Sequence, residues 1–270
     1  MRHAGITRFG TRVSRVLRMT MHVAGVFATA LVLLRLLAPL IRRRYDRWRA
    51  RRMLAILGVE LAVRGAPRVH GPVLVVANHV SWLDIDALNA IAGTRFVAKS
   101  EVRRWPVVGT VAARTDTFFI VRGSYRDAAR VKAAIAAALA RGERVCVFPE
   151  GTTTDGSRIG RFYAALLQAA VDSGVPVQPV ALRYVGPDGN RIEDAAFIDD
   201  MTFVASLRKV LRCVRITAEL TFGPCIDPAG RTRRDLVRLT RGFVIDVLGL
   251  RDDDETSASP ARLPRSRRAA

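Results

Sequence analysis

His79 and Asp84 lie five positions apart and are the two side chains of this 270-residue sequence best suited to acid–base chemistry. On a regular helix that spacing would turn them about 140° away from each other. They can meet if His79 lies in the turn after a strand and Asp84 in the opening turn of the next helix, with Ser81 as N-cap. Asp84 would then accept from Nδ1–H of His79, and Nε2 would face outward as a base. Since the pair includes no serine or cysteine nucleophile, it would activate a hydroxyl of the substrate. The alternative interpretation is a structural histidine beside a helix-capping aspartate.

Two further segments carry groups that suit a polar ligand. The segment 148–156 follows an apolar run and contains a Pro-Glu-Gly turn, in which Glu150 could accept from a ligand hydroxyl. Gly151 and the free N–H groups of such a turn suit an anionic or polyhydroxy ligand. Arg122 ends another apolar run, and its planar guanidinium matches phosphate. Each segment has a structural alternative, because Pro-Glu-Gly is common in turns and a lone arginine in an arginine-rich chain is usually a surface residue.

Five blocks of sequence occur in one order between residues 73 and 184. They are Asn78-His79-x4-Asp84, Lys99-Ser-Glu101 with Trp105-Pro106-x-x-Gly109, Phe119-Ile-x-Arg122, Phe148-Pro-Glu-Gly-Thr152 and Val175-Pro-Val-Gln-Pro-Val180. Together they resemble the glycerolipid acyltransferase family, whose best-known members are 1-acylglycerol-3-phosphate acyltransferases. Five blocks in order are far more specific than any one of them.

The resemblance implies transfer of a fatty acyl group from acyl-CoA or acyl carrier protein to the free hydroxyl of 1-acylglycerol-3-phosphate, which gives phosphatidic acid. It implies that His79 is the general base and Asp84 its orienting partner. The residues implied to hold the polar acceptor are Arg122, Glu150, Gly151 and Thr152. Residues 175–180 would help to form the wall of the acyl-binding site. No cofactor is expected beyond the thioester co-substrate, and the four scattered histidines predict no metal site.

The sequence departs from the family pattern at two places. Many members carry Arg or Ser after the Glu-Gly-Thr triplet, whereas Thr153 and Thr154 follow it here. Gln178 stands where an aliphatic residue is usual. The Thr-Thr-x-Asp-Gly version also resembles bacterial lyso-ornithine lipid acyltransferases, whose acceptor has no phosphate. Acylation of lyso-ornithine lipid or another lysolipid is therefore the alternative function.

The elements that must position these residues alternate between strands and helices. Continuous apolar runs predict strands, and longer periodic segments between them predict helices. The predicted strands are 73–77, 95–98, 117–121, 144–148, 177–184 and 214–222, and the predicted helices are 127–140, 162–173, 202–211 and 232–250. This order predicts an α/β fold with a mixed, mainly parallel sheet flanked by helices.

The N-terminal region predicts membrane attachment. Residues 1–18 form a basic segment, and 19–60 an anchoring helical region that either spans the bilayer or lies in its interface. The acyltransferase domain is predicted at 61–251, followed by a disordered tail at 252–270. Arginines are denser after the apolar stretch, so the positive-inside rule puts the catalytic domain on the cytoplasmic side, at the inner membrane of a bacterium if the resemblance holds.

The charge of the chain points to an anionic partner. Lys and Arg exceed Asp and Glu by 44 to 24, a formal net charge of +20. Anionic membrane lipids are the expected partner, together with the lysolipid acceptor and the thioester donor. Nucleic acid is not expected, because the sequence has no helix-turn-helix, RNA-binding or zinc-finger signature. A non-catalytic basic membrane protein stays as the alternative from another functional class.

Overall fold

The computed structural model describes residues 9–32, 39–121, 123–198 and 200–250. Within them, a seven-stranded sheet carries helices on both faces. The strands are β1 Val59–Arg64, β2 Val73–Ala77, β3 Arg95–Lys99, β4 Phe118–Ile120, β5 Arg144–Val147, β6 Val177–Val185 and β7 Ile216–Phe222. The helices are α1 Phe9–Val32, α2 Pro39–Leu57, α3 Leu83–Ala92, α4 Val108–Arg114, α5 Tyr125–Ala140, α6 Gln168–Ser173, α7 Phe203–Arg212 and α8 Arg233–Leu248, with a short 3-10 helix at Ser100–Arg104.

The sheet is mixed and mainly parallel, as the sequence predicts. Its strand order is β1-β7-β6-β2-β5-β3-β4. The strands from β6 to β4 are parallel to their neighbours, whereas β7 runs antiparallel to β6 and β1 runs parallel to β7. The carboxyl ends of the parallel strands therefore lie at the same edge of the sheet as the first residues of β1 and β7.

The central strands are buried because both faces of the sheet are covered. In β2, Leu74 and Val76 pack into the cluster under α5, α6 and α8, and Val75 and Ala77 pack into the cluster under α2, α3 and α7. All four are at most 2% exposed. Each fully buried aliphatic side chain of the size of Leu or Val contributes about 1.5–3 kcal/mol. A strand buried on both faces has no alternating pattern, which is why the apolar run 73–77 reads as continuous.

Within the domain that carries the sheet, the element bounds differ most from the predicted ones in two segments. The segment Val59–Arg64 forms strand β1, which lies beside β7 at the edge of the sheet and crosses the predicted boundary at residue 60. Its edge position leaves it half exposed, so no continuous apolar run marks it. The predicted helix 162–173 is helical only from Gln168. The Tyr163 N–H donates to Pro149 O at 2.9 Å, and this bond holds the residues before Gln168 against the Pro-Glu-Gly turn.

Helix α1 lies along the globular domain and is bonded to it near both ends. It begins at Phe9, inside the segment predicted as a separate basic region, and it is the one helix of the described residues that is long and apolar enough to cross a membrane. Near its start, the Arg15 guanidinium donates to the carbonyls of Cys213 and Val214 at 2.7 and 2.9 Å. Near its end, the Arg114 guanidinium of α4 donates to the Ala30 carbonyl at 3.1 Å. The predicted tail 252–270 lies outside the described residues.

Candidate active site

His79 and Asp84 meet at the carboxyl end of β2. His79 follows the strand directly, Asp84 lies in the first turn of α3, and His79 Nδ1 is 2.7 Å from Asp84 Oδ2. The carboxylate oxygen can only accept, so Nδ1 carries the proton and Nε2 has a lone pair available as a base. The Asp84 side chain is fully buried and that of His79 is 20% exposed. The geometry predicted for this pair is therefore found in the structure.

The buried Asp84 carboxylate is held by backbone and side-chain donors. Oδ2 also accepts from the N–H groups of Val80 and Ser81 at 2.8 and 3.0 Å. Oδ1 accepts from the Tyr184 hydroxyl at 2.6 Å. Ser81 is not the N-cap residue, because α3 begins at Leu83 after Trp82, although the Ser81 hydroxyl accepts from the Leu83 N–H at 3.3 Å. Asp84 itself accepts from two N–H groups that precede the helix, and these bonds fix the orientation of its carboxylate.

The imidazole of His79 is also held by an aromatic face. Its ring stacks on the Phe148 ring with centroids 4.0 Å apart and planes 11° apart. Phe148 follows β5, the neighbour of β2 on the side away from β6. Stacking on one side and the Asp84 carboxylate at Nδ1 together restrict rotation of the ring, so Nε2 has a defined direction.

The Glu150 carboxylate holds the backbone of the turn that carries His79. Its Oε1 accepts from the backbone N–H of His79 and its Oε2 from the backbone N–H of Gly160, both at 2.8 Å. The side chain is buried, with 5% of the residue exposed. Burial raises the pKa of the Glu150 carboxyl, although these two N–H groups lower it. Both carboxylate oxygens are thus engaged within the protein, whereas the sequence predicts contact with a ligand hydroxyl.

The loop that follows Glu150 is tied to the histidine turn. Gly151 has a φ of 66°, a left-handed conformation that favours glycine. The Thr154 N–H donates to the His79 carbonyl at 2.8 Å, and the Thr153 hydroxyl bonds to the Phe197 carbonyl. Gly151 and Thr152 are exposed, and the Thr152 N–H has no hydrogen-bond acceptor among the described residues. The predicted acceptor loop therefore offers an exposed backbone donor next to the histidine turn.

Two other residues singled out in the sequence have different outcomes. Arg122, the predicted phosphate ligand, lies outside the described residues. Gln178, in the block predicted to border the acyl chain, is 2% exposed in β6. Its amide nitrogen donates to the carbonyls of Ala66 and Gly223, both at 2.9 Å, and its Oε1 accepts from the Arg68 N–H at 2.9 Å. Gln178 thus connects the segment after β1 with the end of β7.

Two partners of the His79–Asp84 pair are absent from the site residues that the sequence predicts. In the sequence, Tyr184 only ends a predicted strand and Phe148 only begins the predicted turn. The available signal was position: both residues lie at carboxyl ends of parallel strands, the edge where α/β sheets bring functional side chains together. Among the described residues, no group of three or more His, Cys, Asp or Glu side chains is placed to hold a metal ion.

Three comparisons place the chain among proteins of known sequence or structure. A family model described as Acyltransferase matches residues 60–183. The chain is 41% identical over 199 residues to the lyso-ornithine lipid O-acyltransferase of Pseudomonas aeruginosa, covering 73% of this chain and 76% of that protein. It is 39% identical over 180 residues to the 1-acyl-sn-glycerol-3-phosphate acyltransferase of Neisseria meningitidis, covering 66% of this chain and 70% of that protein.

A solved structure shares the fold. The crystal structure of the 1-acyl-sn-glycerophosphate (LPA) acyltransferase from Thermotoga maritima superposes with a TM-score of 0.65 over 93% of this chain and 97% of that one, at 21% identity. At that identity the likeness shows the fold alone. The extent and identity of the two sequence matches show more: this chain is an enzyme that belongs to the lysophospholipid acyltransferase family.

Proposed function

We propose that this enzyme transfers a fatty acyl group from a thioester to the free hydroxyl of 1-acylglycerol-3-phosphate, with His79 as general base. The observation that carries the proposal is the 2.7 Å bond between His79 Nδ1 and the buried Asp84 carboxylate, on a histidine whose ring reaches solvent. This arrangement presents Nε2 to an incoming hydroxyl. Stabilisation of the imidazolium by Asp84 supports proton transfer without a nucleophile supplied by the protein.

The proposed reaction is one addition and one elimination. The acceptor hydroxyl attacks the thioester carbonyl carbon while His79 Nε2 takes its proton, and a tetrahedral oxyanion forms. The carbon–sulfur bond then breaks, the ester remains, and the thiolate leaves with the proton held by His79. Atoms and charge balance without a metal or a redox cofactor.

The donors that stabilise the oxyanion must come from outside the histidine turn. The N–H group of His79 is engaged by Glu150, and those of Val80 and Ser81 are engaged by Asp84. This leaves the loop after Glu150 as the nearest source of backbone donors, with the Thr152 N–H as the candidate. In this proposal Glu150 positions the turn, and Gly151 and Thr152 are the part of the loop that contacts the acceptor.

Two acceptors compete within this mechanism. Two observations favour 1-acylglycerol-3-phosphate as the acceptor. Arg122 occupies a position that the family pattern assigns to acceptor binding, and some relatives are named for 1-acyl-sn-glycerol-3-phosphate. Lyso-ornithine lipid is the second candidate, because Thr153 and Thr154 follow the Glu-Gly-Thr triplet where many members carry Arg or Ser. The Thr153 hydroxyl and the Thr154 N–H are engaged by the carbonyls of Phe197 and His79. The relative from Pseudomonas aeruginosa carries that name.

Membrane docking through α1 is part of the same proposal. A helix that spans the bilayer must put its ends on opposite sides of about 30 Å of hydrocarbon. The Arg15 and Ala30 contacts hold both ends of α1 to one domain, which favours a helix lying in the interface. Large apolar side chains project from its first 13 residues: Phe9, Val13, Val16, Leu17 and Met21 are all exposed.

Helix α1 lies near the strand ends at which His79 is found. Arg15 contacts Cys213 and Val214, which precede β7, and the first residues of β7 pair with the end of β6, where Val185 lies opposite Thr217. A lysolipid in the headgroup region of the leaflet would therefore be close to the His79 site. Exposed arginines of α2 beside Trp48 add attraction to anionic headgroups: Arg44, Arg51 and Arg52.

The acceptor is tested with purified full-length protein on vesicles. Release of free CoA or free acyl carrier protein is followed with each thioester as donor and a panel of lysolipids as acceptors. The proposal predicts turnover with 1-acylglycerol-3-phosphate at a kcat/KM above those of the other acceptors. Turnover with lyso-ornithine lipid alone would support the second candidate and overturn the first. Arg122→Gln should raise KM for the phosphate-bearing acceptor without changing KM for the donor.

A further inference from the structure

We infer that Tyr184 is a positioning residue for the His79–Asp84 pair, and that its hydroxyl sets the hydrogen bonding of the Asp84 oxygen that His79 does not use. This inference rests on the proposed function, because it assigns Tyr184 a part in the same proton transfer.

The contact joins two elements that are far apart in sequence. Tyr184 lies near the end of β6 and Asp84 in the first turn of α3, and Tyr184 Oη is 2.6 Å from Asp84 Oδ1. Tyr184 is 1% exposed and Asp84 is fully buried. A short bond between a hydroxyl and a buried carboxylate is charge-assisted, and such bonds are about twice as strong as those between neutral groups.

The two carboxylate oxygens have different numbers of donors. Oδ2 accepts from His79 Nδ1 and from the N–H groups of Val80 and Ser81. Oδ1 accepts from Tyr184 alone within the described residues. Burial and the neighbouring Asp84 raise the pKa of Tyr184 well above its usual value, so the phenol stays protonated and remains a donor.

Removing the hydroxyl would change both the geometry and the charge of the pair. Without it, Oδ1 is buried with no donor, and Asp84 keeps more negative charge on the oxygen that binds the Nδ1–H group of His79. The dependence of kcat on pH should therefore differ from that of wild type.

Other ionisable groups near the Asp84–Tyr184 contact stay unchanged in a Tyr184 variant. His79 in the turn after β2, Cys146 on β5 and Glu150 in the loop after β5 lie near Asp84, and Asp86 on α3 lies near Tyr184. Burial keeps the pKa of the Cys146 thiol well above its usual value, so that side chain is neutral. A shift of the profile in Tyr184→Phe is then attributable to the lost hydroxyl.

The test compares Tyr184→Phe with Tyr125→Phe, a matched change at a tyrosine that is 95% exposed. For Tyr184→Phe we expect a kcat about tenfold lower, unchanged KM for donor and acceptor, and a pH–rate profile that differs from that of wild type. In an Asp84→Asn background the same change should cost little more, because residues that act as a unit are not additive. Circular dichroism and thermal unfolding identify any variant that fails to fold at the assay temperature.

Two results would overturn the inference, and they differ from a failure of the proposed function. A wild-type pH profile and kcat in folded Tyr184→Phe would make Tyr184 a packing residue. A full additional loss of kcat in the Asp84→Asn background would show that Tyr184 does not act through Asp84. Absence of wild-type turnover with every acceptor and both donors would overturn the proposed function, and this inference with it.

Discussion

Glu150 accepts a 2.8 Å hydrogen bond from the backbone N–H of His79, so the Pro-Glu-Gly turn and the histidine turn form one unit. The bond joins the ends of β2 and β5, two neighbouring strands. The second carboxylate oxygen of Glu150 accepts a hydrogen bond from the Gly160 N–H, which keeps the carboxylate from rotating away from His79. The glutamate thereby fixes the backbone that carries the candidate base, while Asp84 and Phe148 fix its ring.

Glu150→Gln should lower kcat without preventing folding. An amide keeps one acceptor oxygen but turns an NH2 group toward the N–H of either His79 or Gly160, so one hydrogen bond is lost and two donors face each other. We expect kcat to fall about 10- to 100-fold, the cost of one lost charge-assisted bond at a buried site. Steady-state kinetics measure this. The matched control is Glu193→Gln at an exposed glutamate, which should leave kcat unchanged.

The same residue predicts a dependence of stability on pH. Burial raises the pKa of Glu150, although hydrogen bonds from His79 and Gly160 lower it. A carboxyl whose pKa is raised on folding contributes its full stability below the unfolded value, about 4.3, and loses it as pH rises through the folded value. The free energy of unfolding of wild type, relative to Glu150→Gln, should therefore decrease as pH rises above the unfolded value. Urea unfolding at several pH values measures the difference, and an increase with rising pH would contradict the assignment.

Gln178→Leu should destabilise the fold and leave the chemistry intact. The change removes three buried hydrogen bonds, to Ala66, Arg68 and Gly223, and leaves their backbone groups without a partner. We expect the free energy of unfolding to fall by about 3 kcal/mol. At a temperature where the variant is folded, kcat and the preference for acyl-chain length should match wild type. A changed chain-length preference would instead support the predicted place of this block in the acyl-binding wall. Gln168→Leu on α6 is the matched control.

Leu17→Gln should weaken binding to vesicles. Leu17 projects from the first half of α1 and is 60% exposed, so its role in the docking proposal does not involve the core. Loss of one inserted leucine side chain should weaken partitioning about tenfold. Leu239→Gln, at an exposed leucine of α8, should have no effect. Co-sedimentation with vesicles measures both, and equal binding by the two variants would remove α1 from the docking surface.

Most of the sheet could be predicted from the sequence because burial on two faces leaves continuous apolar runs. The bounds of β2 agree with the prediction, and β5 and β6 agree within one residue. Strand β1 could not be predicted in this way, since its edge position leaves it half exposed and its pairing with Ile216–Phe222 depends on residues about 150 positions away. Helix α1 was predicted from its apolar stretch, but it extends back to Phe9, inside the segment predicted as a separate basic region.

The site was predicted as far as local spacing determines it. The meeting of His79 with Asp84 depends on one turn and one helix start, so a segment of six residues is enough to predict it. The role of Glu150 as a brace and the contact of Tyr184 depend on how separate strands pair, which spacing does not encode. The sequence identifies Glu150 as a site residue and predicts that its carboxylate contacts a ligand hydroxyl. In the structure, the carboxylate instead binds the backbone of the His79 turn.

The role of His79 as general base is tested most directly by turnover of His79→Gln. Glutamine keeps a polar side chain of similar size but cannot accept a proton from the acceptor hydroxyl. Thiol release from a long-chain acyl thioester with lysolipid acceptors is measured for both proteins, and circular dichroism checks the fold. We predict that kcat falls by about 10²–10⁴ or more in folded His79→Gln. Turnover at the wild-type rate would contradict it and make His79 a structural residue.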